Sequence, residues 1–316
     1  MKTEVMVCPG LPLTETHKEI LMKALPETHI TFYSKEPSQE DFEHADFIFG
    51  NPPFDKLKHC PKLKLLQLRS AGAHGYFQAL PQGAKLVNAK GAYGLAVSEH
   101  MIALTLAAMK KIHLYMMNQQ DCVWRDEGRV SSISESTVLV IGAGDIGTDY
   151  GGKMKALGAK TMGICHGEPK QRDGLDEIYS RDKLDEVLGQ ADIVALCLPE
   201  TPETCHIINK ERISLMKPSA VLINAGRGTA IDQEALCDAL DGNRLAAAGL
   251  DVTTPEPLPS DHRLWKTPNL IITPHVSGGA HLPSTVTRIV EIAACNFRSC
   301  LDGKPVKNEI NSSAGY

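Results

Sequence analysis

The sequence has few aromatic residues, no dense basic run and no long apolar segment. Aromatic residues make up 5% of the 316 positions, which disfavours stacking platforms for bases or sugars. Lys and Arg number 33 against 38 Asp and Glu, so the formal charge of −5 gives no basic surface for nucleic acid. No apolar run reaches the ~18–20 residues of a membrane span, and the apolar part of the N-terminus is too short for a signal peptide. We therefore expect a cytoplasmic protein that binds neither nucleic acid nor membrane.

Cysteine is present, but its spacing indicates neither a metal site nor a disulfide framework. The nine cysteines are odd in number and scattered, and no two of them form a C-x-x-C pair. This argues against a zinc ribbon and against a thioredoxin-type redox site. Most of the cysteines lie in apolar segments, so we expect buried, reduced thiols and no bound metal.

Short apolar segments alternate with helix-like segments along the chain, which predicts an α/β fold with parallel sheets. The predicted strands of the first part are Glu4–Cys8, Ile30–Tyr33, Ala45–Gly50, Leu63–Arg69 and Lys85–Asn88. Those of the second part are Thr137–Ile141, Lys160–Cys165, Ile193–Leu198, Ala220–Asn224, Ala246–Asp251 and Leu270–Thr273. Six strands with helices between them describe a complete doubly wound unit.

Two long helices are also predicted. One spans about Ser98 to Gln119 and is apolar on all sides, which indicates burial between domains or subunits. Its two histidines, His100 and His113, are interpreted as structural. The other helix, Pro283–Leu301, is amphipathic and is followed by a polar tail that we expect to be loosely held.

A glycine-rich turn follows the first predicted strand of the second part and precedes a helix-like segment. Gly142 permits the tight turn, Gly144 lets the backbone approach a pyrophosphate, and Gly147 lets the helix pack close to the strand. The helix N-terminus then offers free N–H groups and a favourable dipole to the phosphates. The predicted dinucleotide-binding residues here are Gly142, Ala143, Gly144, Asp145, Ile146 and Gly147.

The next predicted strand ends in Cys165, where dinucleotide folds usually have an acidic residue that holds the ribose 2′-hydroxyl. A carboxylate there repels a 2′-phosphate, and a thiol does not. His166, Lys170 and Arg172 follow and can pair with such a phosphate, which favours NADP over NAD as cofactor. Glu168 opposes this preference, and the alternative is that Lys170 and Arg172 are solvated loop charges.

Three chemically active side chains follow predicted strands of the second part. Arg227, Glu256 and His275 each come after a strand, and the carboxyl ends of parallel strands are where such folds bind ligands. We therefore expect the three side chains to converge beside a bound dinucleotide.

With these motifs together, the sequence resembles the D-isomer-specific 2-hydroxyacid dehydrogenase family over nearly its whole length. The family's cofactor fingerprint matches Gly142–Gly147, its N-x-x-R-G motif matches Asn224–Gly228, its D-V-x-x-x-E-P motif matches Asp251–Pro257, and its P-H-x-x-G motif matches Pro274–Gly278. Four motifs in this order are far more specific than any one of them. The departures are Cys165 for the usual acid and Gly226 for the usual Ala, and we expect the second to be tolerated.

The resemblance implies two Rossmann-like or flavodoxin-like doubly wound parallel-sheet domains with an interdomain active-site cleft. Residues 1–98 and 283–316 form the substrate domain, and residues 99–282 form the dinucleotide-binding domain. The resemblance also implies a homodimer with the long apolar helix at its interface, and it places Asp251 near the nicotinamide carboxamide. The further cofactor-binding residues are Leu198, Pro199, Thr204, Ala225, Gly226, Asp251 and Gly278.

The implied reaction is NAD(P)H-dependent reduction of a 2-keto acid to a D-2-hydroxy acid by hydride transfer. The nicotinamide supplies the hydride. His275 protonates the developing alkoxide, since an imidazole titrates near neutral pH, and Glu256 orients it and favours its charged form. Arg227 binds the substrate carboxylate and carbonyl through its planar set of donors.

A second glycine-containing loop, in the first part of the chain, matches the family's substrate loop. The resemblance implies that Ser70, Ala71, Gly72 and Tyr93 bind the substrate, with its carboxylate on the backbone N–H groups of Ala71 and Gly72. His74 and Tyr76 shape the side-chain pocket or serve ordinary loop packing. The sequence leaves open whether the substrate is glyoxylate, hydroxypyruvate, pyruvate, or a branched or aromatic 2-keto acid.

Two other functions compete with this interpretation. One is a family member with other chemistry, such as formate oxidation, although Glu256 beside His275 favours the hydroxyacid reaction. The other is a dinucleotide-sensing, corepressor-like binding protein, for which a chain of 316 residues has little room. Turnover of 2-keto acids, against cofactor binding without turnover, discriminates between them.

Overall fold

The chain forms two compact units. The structure, a computed structural model, describes residues 2–73 and 75–310. Residues 1–93 with 280–316 make up the first unit, and residues 94–279 make up the second unit. The domain limits expected from the sequence, at 98/99 and 282/283, stay a prediction.

The first unit is built on a five-stranded parallel sheet with the order β2-β1-β3-β4-β5. Its strands are β1 (Glu4–Val7), β2 (His29–Phe32), β3 (Phe47–Phe49), β4 (Leu65–Gln67) and β5 (Lys85–Val87). Its first helices are α1 (Glu15–Ala24), α2 (Gln39–His44), α3 (Phe54–Leu57) and α4 (Tyr76–Ala79). Thr14 and Ser38 begin α1 and α2 with capping boxes, which satisfy N–H groups that the first helical turn leaves free.

The second unit is built on a seven-stranded parallel sheet with the order β12-β11-β10-β9-β6-β7-β8. Its strands are β6 (Thr137–Ile141), β7 (Lys160–Cys165), β8 (Glu177–Ser180), β9 (Ile193–Leu196), β10 (Val221–Asn224), β11 (Ala247–Leu250) and β12 (Leu270–Ile272). Its helices are α5 (Gly94–Met109), α6 (Ile112–Gln120), α7 (Asp145–Ala156), α8 (Leu184–Leu188), α9 (Lys210–Leu215) and α10 (Gln233–Asp241). The chain then returns to the first unit in α11 (Pro283–Leu301).

The predicted α/β class with two parallel sheets is confirmed, and so are the eleven predicted strands, within one or two residues at their ends. The strand β8 was not predicted, because it is a four-residue edge strand of half-buried residues without a continuous apolar run. The prediction of one helix over Ser98–Gln119 is wrong. Lys111 has a φ of +58°, so the backbone leaves the helical region there and α5 and α6 are separate helices.

Each unit buries its own apolar core. In the first unit Phe297 of α11 stacks on Phe47 at 5.1 Å between ring centroids and meets Phe49 edge-on at 6.4 Å. In the second unit α5 packs against α7, β10 and β11. Tyr150 of α7 is fully buried, and its hydroxyl lies 2.9 Å from the Thr105 hydroxyl of α5, which satisfies a polar group in the core.

The C-terminal segment is held more firmly than the sequence suggested. The Asn296 side chain donates to Gln67 Oε1 at 2.7 Å and to the Lys307 carbonyl at 3.1 Å, and it accepts from the Lys307 N–H at 2.8 Å. The Ile310 N–H donates to the Leu86 carbonyl at 2.8 Å. The expectation of a loose tail is therefore wrong as far as residue 310, and residues 311–316 lie outside the described residues.

All nine cysteines lie within the described ranges and are unpaired. Four of them are buried, and Cys122, Cys205 and Cys295 are exposed, so the expectation of mostly buried thiols is met only in part. Of the helices in residues 2–73 and 75–310, none combines the length and the hydropathy needed to cross a membrane.

We expect Asn296→Leu to lower the free energy of unfolding by about 2–3 kcal/mol, because it leaves the buried Gln67 carbonyl and the Lys307 backbone without partners. Urea unfolding measures the change. Cys295→Ala, at an exposed position of the same helix, is the control and should stay within about 0.5 kcal/mol of the wild type. Equal stability of the two variants would contradict this role of Asn296.

Candidate active site at the carboxyl edge of the second sheet

The seven strands of the second unit are all parallel, so the segments that follow them lie along one edge of the sheet. These segments carry the predicted residues of the second unit, and neighbouring strands are about 4.8 Å apart. The glycine-rich turn follows β6, and Cys165 ends β7. Arg227, Glu256 and His275 follow β10, β11 and β12, at the other end of the same edge.

The turn after β6 has the shape that a dinucleotide phosphate needs. Gly142 has a φ of +102°, and its N–H and that of Ala143 both donate to the Ile164 carbonyl at 3.0 Å. Gly144 is exposed, and a Cβ there would meet open space. No side chain caps the first N–H groups of α7, which leaves them for an anion.

The glycine at the third position of the turn serves packing. A Cβ on Gly147 would overlap the Gly142 carbonyl and would lie 2.8 Å from Val140 Cγ1, so only glycine lets α7 approach β6 this closely. Asp145 is exposed and Ile146 is half-buried at the start of α7. The backbone of this turn therefore fits a bound pyrophosphate.

The segments after β9 and β10 also come close together. A Cβ on Gly226 would lie 2.7 Å from the backbone N and O of Leu198, so this chain needs glycine where the family motif usually has Ala. The Thr204 hydroxyl donates to the Pro199 carbonyl at 2.7 Å and fixes the loop after β9. Ala225 is half-buried beside Gly226, and its N–H donates to the Leu196 carbonyl at 3.3 Å.

At the β7 end of the edge, the Cys165 side chain is buried. Its sulfur lies 3.6–3.8 Å from the carbonyl oxygens of Tyr179, Gly167 and Glu168, so the thiol contacts the neighbouring strand β8 and its own loop. His166, Lys170 and Arg172 are exposed on that loop.

The structure adds a cation at this end that the sequence analysis missed. Cys165 pairs with Ser180 in the register of β7 and β8, so Arg181 follows directly beside His166. Arg181 Nη1 lies 2.8 Å from Glu203 Oε2, and His166 Nε2 lies 3.6 Å from the same oxygen. Arg181 was missed because its position depends on β8, which the sequence did not predict.

At the other end of the edge, Glu256 and His275 form a hydrogen-bonded pair. His275 Nδ1 lies 2.7 Å from Glu256 Oε2, and the Thr253 N–H donates to the other carboxylate oxygen at 3.0 Å. The carboxylate is thus held by its own segment while one oxygen fixes the imidazole. Both side chains are partly exposed, at 48% for His275 and 36% for Glu256. No described residue bonds His275 Nε2, which leaves this atom for a ligand.

Arg227 lies on a turn that Asn224 shapes. The Asn224 side chain donates to the Arg227 carbonyl at 2.9 Å and accepts from the Gly226 N–H at 3.0 Å. Among the described residues, the Arg227 guanidinium hydrogen-bonds only the Gly226 carbonyl, at 2.7 Å. Most of its donors remain available to an anionic ligand.

Asp251, predicted to lie near the nicotinamide, is buried at the start of the segment that leads to Glu256. Its carboxylate accepts from the Thr273 hydroxyl at 2.6 Å and from the N–H groups of Val276 and Ser277 at 3.0 and 3.1 Å. Burial raises the pKa of Asp251, but these hydrogen bonds outweigh burial and hold the pKa below its usual value. Gly278 follows this segment and is half-buried.

The predicted substrate loop lies in the first unit, after β4. The Ser70 hydroxyl donates to the Gly72 carbonyl at 2.6 Å and accepts from the Asn51 side chain at 2.9 Å. The Asn88 side chain donates to the Ala71 carbonyl at 2.7 Å. Ala71 and Gly72 are exposed, and no described residue accepts a hydrogen bond from their N–H groups.

Two tyrosines flank this loop. The Tyr93 hydroxyl donates to the Arg69 carbonyl, and burial raises the pKa of Tyr93 to about 12. Tyr76 donates to the Pro52 carbonyl at 3.1 Å and packs edge-on against Phe54. His74 lies outside the described residues. Asn51 and Asn88, which shape the loop, were missed by the sequence analysis, although Asn51 directly follows one predicted strand and Asn88 is the last residue of another.

Among the described residues, no group of three or more His, Cys, Asp or Glu side chains could hold a metal ion.

Comparisons with known proteins agree on one family. The family model described as the NAD-binding domain of D-isomer-specific 2-hydroxyacid dehydrogenases matches residues 102–277. A putative 2-hydroxyacid dehydrogenase of Haemophilus influenzae is 35% identical over 273 residues, which cover 81% of this chain and 84% of that protein.

Solved structures give the same result. A D-isomer-specific 2-hydroxyacid dehydrogenase family protein from Aeromonas salmonicida has a TM-score of 0.86 at 29% identity, and the match covers 98% of this chain and 99% of that one. The NADPH-dependent glyoxylate/hydroxypyruvate reductase of Sinorhizobium meliloti, solved with NADP and sulfate, has a TM-score of 0.84 at 26% identity over all of both chains.

Proposed function

This chain belongs to the D-isomer-specific 2-hydroxyacid dehydrogenase family of NAD(P)-dependent oxidoreductases, and we propose that it reduces a small 2-keto acid to the D-2-hydroxy acid. The observation that carries the proposal is the 2.7 Å contact between His275 Nδ1 and Glu256 Oε2. A carboxylate on Nδ1 fixes the tautomer and orientation of the imidazole and leaves Nε2 as the proton donor.

Each of the three residues of the second unit has a separate role in the proposed reaction. A nicotinamide cofactor, when bound, would supply the hydride for the keto carbon. His275 Nε2 delivers the proton to the carbonyl oxygen, and Glu256 stabilises the imidazolium until it does so. Arg227 offers its guanidinium donors to the carboxylate and carbonyl of the substrate, which orients the carbonyl and draws charge onto its oxygen.

The first unit contributes the substrate loop. The exposed N–H groups of Ala71 and Gly72 are suited to a carboxylate, because neighbouring backbone N–H groups that share no internal partner bind anions well. Ser70 and Tyr93 hold the loop in this shape through their hydroxyl groups. The Sinorhizobium relative, described as a glyoxylate/hydroxypyruvate reductase, supports a small keto acid as substrate.

We favour NADPH over NADH as the cofactor. The strand β7 ends in a buried thiol, so the strand end where dinucleotide folds usually have the acid that holds the ribose 2′-hydroxyl carries no carboxylate of its own. His166 and Arg181 stand side by side at this strand end, with Lys170 and Arg172 on the adjoining loop. Glu203 now pairs with Arg181, and a 2′-phosphate would compete with it for the guanidinium.

The two alternatives make different predictions. A formate-oxidising enzyme would reduce NAD(P)⁺ with formate and would not consume NADPH with any 2-keto acid. A dinucleotide-sensing binding protein would bind NADPH without turnover. Initial rates with NADPH and NADH over a panel from glyoxylate to phenylpyruvate therefore separate all three.

We expect His275→Ala to lower kcat for keto-acid reduction by about 10²–10⁴-fold, the usual contribution of a general acid. The dissociation constant for NADPH, measured by nicotinamide fluorescence, should stay within about twofold, since removing a proton donor spares dinucleotide contacts. His281→Ala, at an exposed histidine six positions further on, is the control and should keep wild-type kcat. Retained activity in His275→Ala would falsify the assignment of the proton donor.

We expect Arg181→Ala to lower kcat/KM for NADPH by about tenfold or more, the effect of one charge-assisted contact, and to leave kcat/KM for NADH unchanged. Lys183→Ala is the control, because Lys183 lies two positions further on and pairs with Glu186. An equal fall in kcat/KM for both cofactors would mean that Arg181 supports the fold and does not bind the 2′-phosphate.

We also propose that the protein is a homodimer. In the second unit, α5 buries Met101, Leu104 and Met109, so its apolar residues serve the unit's own core. One of its apolar residues, Leu106, is exposed, and the chain continues into a group of exposed apolar residues on α6 and the segment after it: Ile112, Met116, Met117, Val123, Trp124 and Val130. A second copy that covers this surface would remove it from water.

Light scattering is expected to give twice the chain mass of 34.3 kDa for the wild type. The double variant Met116→Glu with Trp124→Glu should give a monomer, because it places charges in a desolvated interface. Leu215→Glu, at an exposed apolar residue of α9, is the control and should remain dimeric. A monomeric wild type at micromolar concentration would refute the dimer.

A further inference from the structure

A chain of hydrogen bonds leads from α5 to the segment that carries His275. His100 Nε2 lies 2.9 Å from the Thr273 hydroxyl, and that hydroxyl lies 2.6 Å from Asp251 Oδ1. The carboxylate can only accept, so Thr273 donates its proton to Asp251. His100 must then donate its Nε2–H to the Thr273 oxygen. The direction of both hydrogen bonds follows from the chemistry of the three groups.

The packing of α5 on β11 brings His100 to this position. A Cβ on Gly249 would lie 3.1 Å from Leu104 Cβ, so the helix passes close to the strand at this glycine. His100 lies about 6 Å from Leu104 along the helix, and Asp251 lies about 6.6 Å from Gly249 along the strand. The close contact at Gly249 therefore places His100 beside Asp251, and His100 Nε2 lies 3.5 Å from Asp251 Oδ1.

Asp251 in turn fixes the backbone on both sides of His275. Its carbonyl accepts from the His275 N–H at 2.8 Å, and its carboxylate accepts from the N–H groups of Val276 and Ser277. His275 has a φ of +53°, a left-handed conformation that costs a residue with a side chain free energy and that the surroundings must maintain. Asp251 supplies those surroundings.

We propose that His100 and Thr273 are positioning residues for the reaction. They orient the Asp251 carboxylate, which holds the backbone of His275 so that its Nδ1 meets Glu256 and its Nε2 meets the substrate. The inference rests on the proposed role of His275 as proton donor. It also gives His100 a function in place of the structural role expected from the sequence.

A purely structural role for Thr273 and His100 makes a different prediction. If the two residues only stabilise the fold, their loss should lower the melting temperature and should affect any function of the unit. If they act through His275, their loss should lower kcat, and that loss should vanish once His275 has been removed. A double-mutant comparison therefore separates the two roles.

The test uses Thr273→Val and His100→Leu in the full chain, with a 2-keto acid that the wild type reduces. Each is expected to lower kcat by about 10- to 100-fold, to leave the dissociation constant for NADPH within about twofold, and to raise the solvent isotope effect on kcat as proton delivery slows. Thr273→Ser keeps the hydroxyl and His100→Gln keeps an N–H donor, so both should recover most of the activity.

Thr267→Val is the matched control. Thr267 is buried, donates its hydroxyl and precedes β12, whereas Thr273 follows β12, so the control removes an equivalent group from the opposite end of the same strand. It should keep wild-type kcat.

The decisive arm adds Thr273→Val to His275→Ala. No further loss of kcat supports the inference, and a further loss equal to that in the wild type overturns it. Full activity of Thr273→Val also overturns the inference. In that case a low kcat of His275→Ala still supports the proposed function. If His275→Ala itself is as active as the wild type, the proposed function fails, and this inference fails with it.

Discussion

The carboxylate of Asp251 is the group on which the geometry of the candidate site depends. Burying a charge is costly unless hydrogen bonds replace the lost water, and here Thr273, Val276 and Ser277 all donate to it. The same hydrogen bonds that keep Asp251 ionised fix the segment around His275. Its own segment leads on to Glu256, so one buried charge helps to position both residues of the proposed acid–base pair.

The parallel sheet of the second unit explains why chemically different residues lie along one edge. Every strand ends on the same side, and each following segment carries one part of the candidate site: the glycine-rich turn proposed for the phosphates after β6, Arg227 after β10, and the Glu256–His275 pair after β11 and β12. Glycine keeps these segments close. A Cβ on Gly228 would overlap the backbone of Thr253, and one on Gly226 would press on Leu198.

The two ends of this edge differ in their electrostatics. At the β7 end, cations and Glu203 lie on an exposed surface, where a charged ligand can displace one ion pair and form another at small cost. At the β12 end, the charge of Asp251 is buried and fully bonded, which keeps the backbone rigid. The residues proposed to select the cofactor therefore lie on an exposed surface, while buried groups hold the backbone of the proposed proton donor.

Features that depend on neighbouring residues in the chain could be predicted from the sequence alone. Continuous apolar runs specify strands buried on both faces, the glycine spacing specifies the turn before α7, and the apolar stripe of α11 specifies a long amphipathic helix from about residue 283 to about residue 301. The contacts between residues far apart in the chain became clear only in the folded structure. The register of β7 with β8 brings Arg181 to His166, and the contact of Leu104 with Gly249 brings His100 to Asp251. A sequence pattern indicates which residues of one segment are buried and where that segment turns. The contacts of Arg181 and His100 depend instead on how segments far apart in the chain pack together.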